Sequence, residues 1–173
     1  MLLTKITPNQ FKQVKKIYME AFPKRERKPF FTLKSKKVQI YTATQNNQVL
    51  GFTAVIPLGK MVMVDYLAVS SKIRSKGTGG FIMNELCKIY KDKKIILLIE
   101  KLDNQAENKE QRIARRRFYI KNGFTSSGLF VSGVSGILEI MNYGGQVYAD
   151  EYLHLQEYAL GSWMFKLSKM KLV

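Results

Sequence analysis

Apolar and polar positions follow two periods along the chain and predict a mixture of helices and strands. Residues 8–21 carry apolar side chains at helical spacing, with Thr7 as a candidate N-cap and Pro8 at the first helical position. Three strands follow closely, and the short turns between them favour antiparallel pairing. These predicted strands cover residues 38–44, 49–57 and 61–69.

The second half of the chain alternates helices and strands. Residues 94–100 form a continuous apolar run, which is typical of a strand buried on both faces. A helix over 79–90 joins strand 61–69 to this run and predicts a right-handed crossover. The other predicted elements are a helix over 109–122, strands over 125–132 and 136–143, and a final helix over 150–170. We expect Trp163 to pack this final helix against the core.

These elements predict an α/β fold with one domain over residues 1–173. A mixed central sheet of about six to seven strands is flanked by helices, with an extra helix at the C-terminal end. The length of 173 residues fits one domain and is short for two.

Charge is the unusual feature of the composition. The chain has 29 Lys and Arg residues against 13 Asp and Glu, a formal net charge of +16. Such a field attracts anions, including nucleic acids, anionic membranes and phosphorylated small molecules. The single cysteine, Cys87, and single histidine, His154, exclude a disulfide framework and a histidine-pair metal site, so we expect no metal. No apolar leader or membrane-length apolar stretch is visible, and the simplest expectation is a cytoplasmic protein without a membrane partner.

A basic, glycine-rich segment lies between strand 61–69 and helix 79–90. Arg74, Gly77 and Gly79 match the pattern R-x-x-G-x-G. Glycines let backbone amides turn toward an anion, and the helix start that follows adds further amides and a positive dipole end. The pattern fits neither a Walker A motif nor the dinucleotide fingerprint, whose last glycine position holds Ile82. The segment predicts a pyrophosphate site, with a plain basic loop as the alternative.

The helix over 109–122 presents a second basic feature. Helical geometry places Arg112, Arg115, Arg116 and Tyr119 on one face. By itself this pattern is better explained by a solvated basic face with a half-buried tyrosine than by a binding site.

The order of these motifs resembles the GCN5-related N-acetyltransferase (GNAT) superfamily. The resemblance covers about residues 60–145 and depends on the strand DYLAV, the R-x-x-G-x-G loop, a strand ending at Glu100 and the segment FYIKNGF over 118–124. It implies a twisted mixed sheet that is splayed between its fourth and fifth strands.

The resemblance implies an enzyme, an acyl-CoA-dependent N-acyltransferase. Its expected reaction is direct transfer of the acetyl group of acetyl-CoA to a primary amine of a small molecule or peptide, in a ternary complex. Its expected partners are acetyl-CoA and this amine, and its expected state is a monomer or homodimer. The implied cofactor-binding residues are Leu67, Ala68 and Val69 for the pantetheine arm, Arg74, Ser75, Lys76, Gly77, Thr78, Gly79 and Gly80 for the pyrophosphate, and Asn108, Arg115, Phe118 and Tyr119 from the later helix.

Two catalytic residues are predicted. The resemblance implies that Tyr119 reaches the cofactor sulfur and protonates the departing thiolate. Glu100, at the end of an apolar strand, is the preferred general base, with a loop cap or an ion pair with a lysine as its alternative role. Weaker base candidates are Glu26, Asp65 and Glu139.

Two positions depart from the pattern of the family. Arg112 stands where many members have an asparagine that contacts pantetheine, and Arg115 stands at an alanine position. Asn108 is the nearest substitute for the asparagine. We also propose that arginines of this helix reach the cofactor phosphates.

Two other functions remain open from the sequence. The charge of +16 suggests a basic nucleic-acid-binding module, although no helix-turn-helix, zinc-finger or RNP signature is present. A non-catalytic acyl-CoA binder with the same fold is the other alternative. Because a basic enzyme repels polycations, the favoured acceptors are neutral, anionic or peptide amines.

Overall fold

The computed structural model describes residues 1–73, 77–133, 136–168 and 171–173, without the side chain of Arg25. Three of the predicted phosphate-loop residues, Arg74, Ser75 and Lys76, lie outside this range. The described strands are β1 (Leu2–Lys5), β2 (Gln39–Gln45), β3 (Gln48–Leu58), β4 (Met61–Val69), β5 (Lys94–Glu100), β6 (Thr125–Gly133), β7 (Gly136–Tyr143) and β8 (Lys171–Leu172). The described α-helices are α1 (Phe11–Ala21), α2 (Thr78–Ile89), α3 (Lys109–Lys121), α4 (Ala149–Leu160) and α5 (Ser162–Leu167).

The predicted α/β class and the order of the long elements are confirmed. Each predicted strand lies within about two residues of an observed one. The structure adds β1 and β8, two short terminal strands, so the described sheet has eight strands rather than six or seven. The long final helix is instead divided into α4 and α5 at Gly161, whose φ of 80° is left-handed and interrupts the helix.

The chain forms two compact units, which interleave along the sequence. Unit 1 comprises Met1–Pro57 and Val64–Ile89, and unit 2 comprises Leu58–Met63 and Tyr90–Val173. Strand β4 contributes to both, because its first three residues belong to unit 2.

Unit 1 contains the strand order β1-β2-β3-β4, in which β2 is antiparallel to both β1 and β3. Helix α1 packs on this sheet through Val14, Ile17 and Tyr18, as its helical pattern predicts. Helix α2 buries Ile82 and Leu86.

Unit 2 contains the strand order β5-β7-β6-β8, in which every neighbouring pair is antiparallel. At its start, β5 meets the beginning of β4: the Lys94 amide donates to the Lys60 carbonyl oxygen at 2.9 Å. Strands β4 and β5 are parallel neighbours, which makes the sheet mixed.

The packing differs from the sequence pattern in two places. Helical spacing from Ile82 and Leu86 points to Ile89 as the next buried residue of α2, but Ile89 is 45% exposed and Cys87 is buried instead. Trp163 was expected to dock the last helix, but it is 72% exposed. The helix breaks at Gly161, and α4 instead packs on the core through Tyr152 and Leu155, which are fully buried.

Neither a membrane helix nor a metal cluster is found in the described ranges. None of the helices there is long and apolar enough to cross a membrane. Likewise, no group of three or more His, Cys, Asp or Glu side chains among these residues could hold a metal ion.

Candidate functional site

In unit 1, the start of α2 has the geometry of an anion site. Gly77 has a φ of 79°, which favours glycine, and its carbonyl oxygen accepts the first helical hydrogen bond from Phe81 N–H at 2.9 Å. The amides of residues 78–80 precede this bond, so the helix itself offers them no acceptor. Together with the helix dipole, these amides make the N-terminal end of α2 suitable for binding a phosphate group.

A close approach of three elements fixes the end of β4. At Gly51 in β3, an added Cβ would lie 2.7 Å from the Ala68 carbonyl oxygen and 3.0 Å from Ile82 Cδ1 in α2. Real Cβ atoms do not tolerate the first distance, so only glycine allows this packing. The predicted pantetheine-pairing backbone of Ala68 and Val69 therefore lies close against Gly51 of β3.

A basic connector over residues 23–37 follows α1, and Lys28 attaches it to β4. Its Nζ donates to both carboxylate oxygens of Asp65 at 2.8 Å, and its backbone N–H donates to the Tyr66 hydroxyl at 3.1 Å. The Lys28 carbonyl accepts from the Tyr18 hydroxyl at 2.9 Å, while the Tyr66 hydroxyl donates to the Glu26 carbonyl at 3.2 Å. The connector therefore has a defined position on unit 1.

Burial sets the protonation state of the two tyrosines in this network. It raises the pKa of Tyr66 far above its ordinary value and also raises the pKa of Tyr18. Both hydroxyls are therefore neutral donors at physiological pH. The sequence reasoning missed this network, although a lone aspartate in the apolar strand β4 was a signal, because a charge in such a strand needs a partner.

In unit 2, the carboxylate of Glu100 is held from both sides. Its Oε1 accepts from Asn108 Nδ2 at 3.0 Å, and its Oε2 accepts from Arg115 Nη1 at 2.8 Å. Arg112 lies 3.6 Å from Oε1 and also donates from Nε to Asn108 Oδ1 at 2.8 Å. Glu100 is thus ion-paired, with arginines rather than with the lysine of its alternative role, and it engages the predicted cofactor residues Asn108 and Arg115.

Glu139, a weaker base candidate, is buried in β7. Arg116 donates to its two carboxylate oxygens, from Nε at 3.2 Å and from Nη2 at 3.4 Å. The Glu139 side chain is 6% exposed, so this pair is shielded from water. Three arginines of α3 therefore contact carboxylates of the sheet rather than forming only a solvated face.

Tyr119 lies on α3 within a small aromatic cluster of unit 2. Its ring centroid is 5.0 Å from that of Phe118 and 5.8 Å from that of Phe124, both in T-shaped geometry. Burial raises the pKa of Tyr119 to about 12, and Arg115 partly opposes the shift. The phenol consequently keeps its proton at neutral pH and can act as a donor.

The predicted residues thus fall into two groups. Leu67, Ala68, Val69 and residues 77–80 belong to unit 1, and Glu100, Asn108, Arg115, Phe118 and Tyr119 belong to unit 2. Within unit 2, Glu100, Asn108 and Arg115 are in direct contact.

Solved structures similar to this chain are acetyltransferases. One, from the GNAT family of Bacteroides thetaiotaomicron, has a TM-score of 0.73 at 18% identity, covering 94% of this chain and 97% of that chain. An aminoglycoside 6'-N-acetyltransferase complexed with coenzyme A has a TM-score of 0.63 at 17% identity, covering 83% and 96%. The ribosomal-protein-S18-alanine N-acetyltransferase from Escherichia coli has a TM-score of 0.63 at 15% identity, covering 85% and 98%. At these identities the likeness establishes the fold.

Sequence comparison identifies the family. No curated protein sequence matches the chain. A family model described as the acetyltransferase (GNAT) domain matches residues 36–126, which is more than half of the chain. This match includes β4, the glycine-rich start of α2 and Tyr119. The chain belongs to the GNAT acetyltransferase family and is an acyl-CoA-dependent N-acyltransferase.

Proposed function

We propose that the chain transfers the acetyl group of acetyl-CoA to a primary amine of a small molecule or peptide, by direct attack in a ternary complex. The observation that carries this proposal is the start of α2, where Gly77 adopts a left-handed φ directly before a helix that follows β4. That geometry suits a pyrophosphate, and it lies within the residues matched by the family model.

We assign three groups of residues to the binding of acetyl-CoA. Residues 77–80 would hold the pyrophosphate through backbone amides, with Arg74, Ser75 and Lys76 assigned from the sequence alone. The backbone of Leu67, Ala68 and Val69 would pair with the amides of pantetheine. Phe118 would contact the cofactor from α3, whereas Asn108 and Arg115 would first have to leave Glu100.

The proposed chemistry needs few groups of the chain. Acetyl-CoA supplies an activated thioester carbonyl. The Val69 N–H would donate to the carbonyl oxygen, where negative charge develops as the amine nitrogen forms its bond to carbon. The Tyr119 hydroxyl would donate to the sulfur as the carbon–sulfur bond breaks and sulfur retains the electron pair. Burial keeps the Tyr119 proton in place at neutral pH for this purpose, because the pKa is about 12.

The general base is the least constrained role. Glu100 is the sequence-based candidate, and it would accept the proton that the acceptor ammonium must lose before the neutral amine attacks, but only after losing a hydrogen bond from Asn108 or Arg115. Asp65 and Glu139 are likewise ion-paired, to Lys28 and Arg116. A water chain that carries the proton to solvent is therefore part of the proposal.

The acceptor class follows from charge. Unit 1 contains 15 Lys and Arg residues against four Asp and Glu. Because this field repels polycations, we propose a neutral, anionic or peptide amine as acceptor. We place the reaction in the cytoplasm, which agrees with a lone, buried cysteine, Cys87, and we expect a monomer or homodimer.

The first test measures thermal unfolding with CoA, acetyl-CoA, NAD and ATP at equal concentration. A ligand at 100 times its dissociation constant stabilises the native state by about 2.7 kcal/mol. We expect only CoA and acetyl-CoA to raise the midpoint. Equal shifts by all four ligands would identify a generic anion site and contradict the cofactor assignment.

A matched pair of glycine variants then tests whether the cofactor pyrophosphate binds at the start of α2. Gly77 and Gly128 have φ values of 79° and 78°, and at neither position would an added Cβ have an atom of the described residues within 4 Å. Gly77→Ala and Gly128→Ala should each cost about 1 kcal/mol of stability through backbone strain. Only Gly77→Ala should weaken CoA binding, by about tenfold or more, because its Cβ would occupy the phosphate cradle. Equal CoA affinity in the two variants would remove this loop from the site.

A further inference from the structure

The positive charge of the molecule is unevenly divided. Unit 1 has 15 Lys and Arg against four Asp and Glu, whereas unit 2 has 14 against nine. Two of the four acids in unit 1 are already paired, Asp65 with Lys28 and Glu85 with Lys88. Most of the excess charge of unit 1 therefore has no carboxylate to neutralise it.

Helix α1 exposes three of these charges, and local stability does not explain them. Lys12, Lys15 and Lys16 are exposed and form no ion pair with any residue that the structure describes. Lys12 lies in the first turn, where the helix dipole disfavours a cation, and no acidic residue is present there. Lys12 and Lys16 are also four residues apart, a spacing at which like charges repel. Both the helix dipole and the charge repulsion make lysines unfavourable here, so their presence suggests that they bind a partner.

The basic surface continues at both ends of this lysine face. At the N-terminal end, Lys34 Nζ lies 4.9 Å from the centroid of the ring of Phe11, a residue next to Lys12 and one turn from Lys15. Toward the C-terminal end, Arg27 Nη1 lies 2.8 Å from the sulfur of Met19, which is one turn from Lys15 and Lys16. The lysine face of α1 is thus continuous with two cations of the connector.

An exposed aromatic ring belongs to the same surface. Phe31 is 73% exposed, and it precedes Lys34 by three residues in the 3-10 turn Phe30–Lys34. Residues three apart in a 3-10 helix lie on the same side, so Phe31 and Lys34 are neighbours. An aromatic ring beside a row of cations is the arrangement that binds single-stranded nucleic acid, through stacked bases and phosphates.

We propose that this surface, formed by Lys12, Lys15, Lys16, Lys34, Arg27 and Phe31, docks a single-stranded nucleic acid. The lysines contact successive phosphates, and Phe31 stacks on a base. A membrane surface fits less well, because the apolar face of α1, with Val14 and Ile17, is buried in the core and has nothing to insert into lipid. The proposal is independent of the acetyl-transfer proposal, since it concerns other residues and no step of the reaction.

Fluorescence anisotropy with a labelled oligouridylate over a series of salt concentrations tests the proposal. Each phosphate contact contributes about 0.7 to the slope of log affinity against log salt for a single strand. The triple variant Lys12→Gln, Lys15→Gln, Lys16→Gln should therefore have a slope smaller by about 2. Its thermal midpoint should equal or exceed that of the wild type, because the variant removes repulsion within α1.

The matched control removes the same three charges from unit 2. Lys91, Lys121 and Lys166 are exposed, and their substitution by Gln should leave the salt slope unchanged. Phe31→Ala should weaken binding by about tenfold without altering the slope, since one base loses its aromatic stacking partner while every phosphate contact remains.

Three outcomes would overturn the proposal. One is an equal loss of affinity in the two triple variants, which would mean that only net charge matters. Another is a wild-type protein that does not bind oligouridylate at physiological salt. The third is binding to phosphatidylserine vesicles without binding to oligouridylate, which would assign the surface to a membrane.

Discussion

Glu100 ends β5 as the sequence predicts, yet its surroundings suit an anchor better than a base. Asn108 and Arg115 donate to its two carboxylate oxygens, and Arg112 lies nearby. These contacts tie the beginning of α3 to the sheet. Since α3 also carries Tyr119, Glu100 can influence the reaction by holding that helix in place.

The variant Glu100→Gln tests this role. We expect the free energy of unfolding to fall by about 2 kcal/mol, because two arginines lose a largely buried carboxylate. Denaturant unfolding measures the change, and Glu107→Gln, which alters an exposed acid of the same segment, should have no effect. The acidic limb of the pH–rate profile should persist in Glu100→Gln. Loss of that limb with unaltered stability would restore Glu100 as the base.

Among the candidate residues, Tyr119 has the most specific proposed role in the reaction, which is to donate a proton to the departing sulfur. In Tyr119→Phe we expect kcat to fall by about 100-fold, since no proton donor remains for the sulfur, while CoA affinity is unchanged. Steady-state release of CoA with an acceptor from an amine screen measures this. Tyr148→Phe, which removes an exposed phenol, is the control. A Tyr119→Phe enzyme with full kcat would show that the thiolate leaves without this donor.

At the scale of elements, α3 differs from the other long helices. It has no fully buried side chain, whereas α1, α2 and α4 each bury at least three. Its attachment depends on the ion pairs of Arg112, Arg115 and Arg116 and on the aromatic contacts of Tyr119. High salt should therefore weaken mainly the Arg115–Glu100 pair, in which Arg115 is 43% exposed, and should affect the shielded Arg116–Glu139 pair much less.

The contact of β3, β4 and α2 gives a prediction for Gly51. Gly51→Ala places a Cβ 2.7 Å from the Ala68 carbonyl oxygen, so β4 must move. We expect a loss of about 1–3 kcal/mol in the free energy of unfolding together with weaker CoA binding. Chemical denaturation and calorimetric titration measure the two effects. A destabilised variant with normal CoA affinity would mean that the backbone of Ala68 does not contact the cofactor.

For the molecule as a whole, four tyrosines share one property. Burial raises the pKa of Tyr18, Tyr66, Tyr119 and Tyr152 in the folded state, to about 12 for the last two. Below pH 10 these phenols are neutral whether the chain is folded or unfolded. As the pH rises above 10, the unfolded chain ionises first, so the folded state loses stability.

We therefore expect stability to fall steeply between about pH 10 and pH 12. A shift of two pKa units corresponds to about 3 kcal/mol at most for a fully buried group such as Tyr152. Unfolding free energies measured across this range should decline, and tyrosinate absorption should rise together with unfolding. Tyr152→Phe should make the decline shallower. Constant stability up to pH 12 would contradict the assigned pKa shifts.

The sequence predicted much of the fold and part of the candidate site. Long periodic elements such as α1 and β5 were located closely, because burial imposes a repeating pattern on the chain. The terminal strands β1 and β8 were missed, since strands of four and two residues are too short to show a period. The pyrophosphate loop and Tyr119 were predicted from motifs, and their roles stay predictions.

Sequence by itself determined which segments become helices and strands, and where glycine permits a left-handed turn before α2. These properties are local, because they depend on neighbouring residues and on backbone conformation. Tertiary structure alone decided the partners of the charged groups. Lys28 meets Asp65 across 37 residues, and Arg116 meets Glu139 across 23. No local pattern encodes such pairs, since they form only when folding places a buried carboxylate and a distant cation together.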